Sequence, residues 1–95
     1  MDRAESAIAC FMNGCNCSQA VLTAFCEEYG IDKKLAMRIA CPFGGGMGHT
    51  GQVCGAVSGA LLVLGLKYGQ DDVEDRQSKE RNYLIVKDFV NLSTR

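Results

Sequence analysis

Neither sign of charge dominates this sequence: ten basic side chains stand against eleven acidic ones, a net charge of -1. No global field favours phosphate backbones or anionic lipid, so nucleic acid is not an expected partner. There is no long hydrophobic run either. The most apolar stretch, Val53 to Leu66, falls short of the ~20 residues a membrane span needs and reads as a buried helix, so no membrane insertion is expected. The opening Met1-Asp2-Arg3-Ala4-Glu5 carries acid early and leads into no apolar h-region. It does not read as a signal peptide, which places the chain in the cytoplasm. No C-x-x-C pair and no C-x-x-C-H motif occurs, which sets covalent haem aside. No acidic pair sits at helical spacing on an apolar face, so a hydrolase has no support.

What is there is enough for one domain, residues 1–95, with 47% hydrophobic and 22% charged residues. A chain this short buries only ~60 to 65% of the surface its unfolded form exposes, so the core is small and dimerisation would help. Ala4, Ala7, Ile8, Phe11 and Met12 share one face of a helix over Arg3 to Met12, ended by Asn13-Gly14. Asn16 with Gln19 three residues on is a capping-box variant that opens a second helix. That helix stops near Gly30 and carries a core stripe of Cys17, Ala20, Val21, Ala24 and Phe25. Asp32 caps a third through Ile39 to Cys41, with Leu35, Ala36, Ile39 and Ala40 as its apolar face and Pro42 as its stop.

Phe43 to Gly51 then holds five glycines in nine residues. A fourth helix is expected from about Gly51 to Lys67, with Cys54, Val57, Ser58, Leu61 and Leu62 on one stripe. Gly51, Gly55 and Gly59 lie four apart, a row that lets another backbone, in this chain or in a second copy, approach closely. After Gln70-Asp71-Asp72 a charged segment leads into Tyr83, Leu84, Ile85, Val86, Phe89, Val90 and Leu92 of a fifth helix. No strand is predicted. The fold class is all-α, a compact antiparallel bundle of four to five short helices with a glycine-rich loop before the fourth.

Six cysteines in 95 residues, in a reducing compartment, favour metal ligation or thiol chemistry over a disulfide scaffold. Free cysteine is also a common small buried hydrophobe, the reading adopted for Cys26. Cys17 and Cys54 each fall at the start of a helix, on stripes expected to face inward. Helix amino termini lower a thiol's pKa, while burial raises it. Cys10, Cys15 and Cys17 form C-x4-C-x-C, a spacing of low specificity for metal; Cys15 and Cys17 point the same way only if Asn16 is extended. Cys15, Cys17 and Cys54 are the candidate ligands of zinc or an iron-sulfur cluster. Cys41 abuts the glycine loop as a supporting residue. Gly44, Gly45, Gly46 and Gly48 could offer backbone amides to an anion or cluster sulfur. The loop is no P-loop, having neither a Gly-Lys-Ser/Thr ending nor a preceding strand. A turn that packs on neighbouring helices explains the same glycines. His49, the only histidine, is a conceivable base for Cys54 but more ordinary as an exposed loop residue.

Asn16-Cys17-Ser18-Gln19-Ala20-Val21, Phe43-Gly44-Gly45-Gly46-Met47-Gly48 and Cys54-Gly55-Ala56-Val57-Ser58-Gly59-Ala60 together resemble the CGAxxG (C_GCAxxG_C_C) family of redox-active proteins. The resemblance runs from Cys17 to Tyr68. It implies a redox role, a redox partner protein and a helical module that can sit beside haem or iron-sulfur centres. It puts the family's first two cysteines on Cys17 and Cys54; the last two, near the carboxyl terminus in the family, have no counterpart in a sequence that ends at Arg95. The expectation is thiol/disulfide or iron-sulfur electron transfer centred on Cys17 and Cys54. The alternatives are a zinc-binding module and a helical interaction domain with structural cysteines.

Overall fold

A computed structural model describes residues 2–48, 50 and 54–93, the side chain of residue 93 excepted. Five helices form, α1 (Arg3–Met12), α2 (Cys17–Phe25), α3 (Lys33–Ala40), α4 (Gly55–Tyr68) and α5 (Arg76–Ser93), and the described residues contain no strand. The fold is all-α. Each start has a local cause. Asp2 accepts from the Glu5 amide at 2.8 Å, Asp32 from Leu35 at 2.9 Å and Asp75 from Ser78 at 3.1 Å, each satisfying a first-turn N–H that has no partner within the helix. Helix α2 tightens into the 3-10 turn Cys26–Tyr29, and Gly30, in the left-handed region at φ 77°, ends it.

Helix α2 is the hub, packing against α1, α3 and α4, while α5 lies on α4. The core gathers Leu22, Cys26, Ala36 and Ala40, with Ile31, Leu62 and Val63 against it. Most of these side chains are small, so helix axes come close and little apolar area is spent on each contact. Leu22, 2% exposed, is the largest fully buried side chain, and its burial is worth about 1.5–3 kcal/mol.

The expected apolar faces turn out differently in part: on α3 Ala36 and Ala40 are buried, but Leu35 and Ile39 are exposed at 42% and 39%. On α1, Ile8, Phe11 and Met12 are exposed at 63%, 54% and 78%. The helix instead turns half-buried Ser6, Ala7, Ala9 and Cys10 inward, because its main contact is with α2, through small residues. On α2 Ala20 of the expected stripe is buried and Val21, Ala24 and Phe25 are half-buried, but the row Ser18, Leu22 and Cys26 at i, i+4 and i+8 is buried more deeply, and Cys17 is exposed. Cys54 is exposed too and stands outside α4 as its N-cap, so neither thiol faces inward as expected.

The physical reason lies in α4. Its glycines, not a row of large side chains, meet α2: a Cβ on Gly59 would sit 2.8 Å from the Ser18 carbonyl oxygen and 2.9 Å from Val21 Cβ. Only a small residue, Ser18, fits beneath. The glycine face offered by the sequence is thus occupied by α2 of the same chain. Helix α4 is described from Gly55 onward, and the expected start at Gly51 lies outside the described residues.

Candidate functional site

The site grows from the start of α2. Asn16 Oδ1 accepts from the Gln19 amide at 2.8 Å, and Gln19 Oε1 accepts from the Asn16 amide at 3.0 Å, completing the capping box. The other ends of both side chains reach α3. Asn16 Nδ2 donates to the Cys41 carbonyl at 3.2 Å and Gln19 Nε2 to the Met37 carbonyl at 3.0 Å. Two amide side chains therefore cap one helix and tie it to the end of another, adding a second donor to carbonyls that already accept from the Cys41 and Gly44 amides. Cys17, the first residue of α2, is held between them with its side chain exposed.

The start of α4 meets the same place. A Cβ on Gly55 would lie 3.3 Å from Cys17 Cβ, 3.3 Å from the Ser18 nitrogen and 3.4 Å from the Phe43 carbonyl oxygen. Cys17 therefore packs on the residue that follows Cys54, and the first turns of two helices converge. Beneath them Ser18 is 0% exposed, with no hydrogen-bond partner for its Oγ. Glycine at position 55 is what lets the two backbones approach.

The glycine loop follows the short 3-10 turn Cys41–Phe43. Gly45, Gly46, Met47 and Gly48 all have positive φ, between 65° and 71°, one left-handed turn that glycine adopts at no steric cost and methionine does not. The Gly48 amide, expected to face a ligand, donates to the Gly44 carbonyl at 2.9 Å. Gly44 lies directly against the Asn16 side chain and Gly46 is buried. Thr50 Oγ1 closes the turn on the Gly46 carbonyl at 2.7 Å. His49 lies outside the described residues.

Cys15 needs a correction. Expected as a metal ligand beside Cys17 and Cys54, it is bonded to Cys10. Its sulfur is therefore no free thiolate, and it touches Met37 Sδ at 3.8 Å. The turn makes the pairing: after α1, Gly14 takes φ 101° and the Cys15 amide donates back to the Cys10 carbonyl at 3.0 Å. The Asn13-Gly14 stop between Cys10 and Cys15, five residues apart, was the available sequence signal. Cys26 belongs to the core, its thiol donating to the Thr23 carbonyl at 3.5 Å; burial, then the negative charge of Glu27, pushes its pKa up. Cys41 is free and exposed, and serves the site through its carbonyl.

Among the described residues no three His, Cys, Asp or Glu side chains gather as a metal site would require. An iron-sulfur cluster takes four thiolates, and Cys17 and Cys54 offer two. The donor set described does not fit a cluster held by this chain alone.

The fold and the site define a small all-α protein with exposed free thiols at the meeting starts of two helices. A family described as "Putative redox-active protein (C_GCAxxG_C_C)" matches residues 15–92, and the chain belongs to it. Comparisons with curated proteins and with solved structures found no match. No helix among the described residues is long and apolar enough to cross a membrane.

Proposed function

We propose that the chain is a thiol/disulfide redox protein of the cytoplasm in which Cys17 and Cys54 act as one two-electron couple. The observation that carries this reading is the approach of Cys17 to Gly55, which seats one exposed thiol beside the residue that follows the other in the chain. In the forward direction the two thiols close into a disulfide. Their two electrons and two protons pass to a disulfide on a partner protein, which leaves as two thiols. The roles are specific: Asn16 and Gln19 fix where Cys17 sits, and Gly44 at the start of the glycine turn lies against the Asn16 side chain.

The test is oxidation of reduced protein in graded glutathione buffers, followed by acid quenching, alkylation and peptide mapping. A Cys17–Cys54 disulfide forming over a narrow range of potential is expected. Two separately glutathionylated thiols with no bond between them overturn the reading.

One observation favours a second reading, a helical interaction domain: Ile8, Phe11 and Met12 present apolar surface on α1. Replacing Cys17 and Cys54 together by serine separates the two, since partner capture survives it only if α1 carries the interaction.

A further inference from the structure

We infer that Cys17 is an exchange point through which the Cys10–Cys15 disulfide and the Cys17/Cys54 thiols trade their bond. The inference rests on the reading of Cys17 and Cys54 as a couple and adds a second couple to it. In a reducing compartment a disulfide that persists for structure alone is unusual, whereas one that cycles is the common form.

Three observations carry it. First, Cys15 and Cys17 are separated by Asn16 alone, at φ -75° and ψ 170°. Two residues span at most about 7 Å, just above the ~4.4–6.8 Å between the Cα atoms of a disulfide, so a small flexing at Asn16 brings Cys15 within bonding range of Cys17. Second, the far half of the disulfide is turned elsewhere. Cys10 lines a cleft with Ser6, Asn13, Thr23, Lys33 and Met37, to which neither Cys17 nor Cys54 contributes. Cys15 is thus the sulfur Cys17 can attack, and Cys10 is the leaving group. The Lys33 ammonium, which also pairs with Glu27 at 3.5 Å, lines the cleft into which that thiolate is released. Third, Cys17 is free and exposed, and its other side meets the residue next to Cys54.

The exchange balances within the chain. The Cys17 thiolate attacks Cys15 Sγ; a Cys15–Cys17 bond forms, the Cys10–Cys15 bond breaks, and the electron pair leaves on Cys10, which takes the proton Cys17 gave up. The Cys54 thiolate then attacks Cys17 Sγ. A Cys17–Cys54 bond forms and Cys15 is released as a thiol, receiving the proton from Cys54. One disulfide and two thiols stand on each side, so no outside oxidant is needed. The Cys10–Cys15 couple can then hold an electron pair while Cys17 and Cys54 meet the partner.

Full-length protein with Cys54→Ser keeps Cys10–Cys15 and reads the first step alone. After acid quenching and alkylation with N-ethylmaleimide, peptide mapping should recover a Cys15–Cys17 disulfide together with alkylated Cys10. Complete retention of Cys10–Cys15, or pairing of Cys15 with Cys41, overturns the inference. A second measurement does not depend on trapping: reduction of Cys10–Cys15 by millimolar dithiothreitol, in wild type and in Cys17→Ser, with circular dichroism confirming that both are folded. Loss of the internal thiol should slow reduction at least ~10-fold, the order of advantage an intramolecular nucleophile holds over dilute reagent. Equal rates refute the exchange. If a Cys17–Cys54 disulfide still forms in glutathione buffers, the couple stands and only the exchange has failed; if the Cys15–Cys17 bond is trapped but Cys17–Cys54 never forms, the couple and the second step fail together.

Discussion

Substituting Gly59 tests the contact on which the site is built. Alanine in place of an interior helical glycine ordinarily stabilises by ~1 kcal/mol, because it restricts the unfolded chain and has the better helix propensity. At Gly59 the added Cβ would lie 2.8 Å from the Ser18 carbonyl oxygen, 2.9 Å from Val21 Cβ and 3.2 Å from Ser18 Cα. Carbon atoms attract at about 3.5–4.0 Å, so α2 and α4 must part by roughly half an ångström or more. Two of those neighbours are backbone atoms of α2 and cannot swing aside. Overpacking costs about 1–3 kcal/mol, and a backbone clash belongs at the upper end. With the propensity gain set against it, Gly59→Ala should destabilise by ~2 kcal/mol and lower Tm by about 8–16 °C in a domain this size. Gly65 supplies the control in the same helix: it is exposed, with nothing within 4 Å of its would-be Cβ. Gly65→Ala should raise Tm by about 4–8 °C. Thermal unfolding followed at 222 nm measures both. If Gly59→Ala rises alongside Gly65→Ala, the close approach of α2 to α4 has been misread.

Gly55→Ala should fold with a smaller loss, since its contacts at 3.3–3.4 Å ask for only a slight shift, but it presses on Cys17 and should change that thiol's rate of alkylation while leaving Cys41 unaffected. Asn16→Ala removes the cap and the link to the Cys41 carbonyl together and should cost about 1–2 kcal/mol in urea unfolding; Asn16→Asp, which restores the cap alone, should recover part of it. Burial raises the Cys26 pKa in the fold, so the folded state keeps a proton that the unfolded chain gives up. Stability from this group is complete below the ordinary thiol value of about 8.5 and is lost as pH climbs from there through the raised folded pKa, with a slope of up to ~1.4 kcal/mol per unit. Cys26→Ala should remove that part of the alkaline decline, seen by comparing the two proteins at pH 8 and 10. Reducing Cys10–Cys15 opens a short loop and should lower stability by about 2 kcal/mol, measured as a shift in urea midpoint at unchanged slope.

The helix starts were the most legible part of the fold, because capping is local chemistry. Asp2 was not singled out, but Asp32 and the Asn16/Gln19 pair were read from spacing alone and each makes the expected bonds. The faces were less legible. Ile8, Phe11 and Met12 recur at helical spacing, yet periodicity states only that one side of α1 is apolar and cannot say that another helix covers it. On α2 the same reasoning chose Cys17, Val21 and Phe25 over Ser18, Leu22 and Cys26. Hydrophobicity ranks serine last, whereas close backbone approach at Gly55 and Gly59 makes serine the residue that fits.

What the sequence determined by itself is the class of fold, the beginnings of the first three helices and the family, since these depend on caps, glycine stops and motifs read a few residues at a time. What only the tertiary structure decided is which thiols are exposed and which pairs lie near one another. Cys17 and the residue after Cys54, Gly55, stand far apart in the chain and come together because two glycines of α4 leave room for the backbone of α2. Cys10 and Cys15 are joined because a left-handed Gly14 turns the chain back at the end of α1. A cysteine's chemistry depends on its neighbours in space, and those are set by backbone geometry that composition and spacing do not encode.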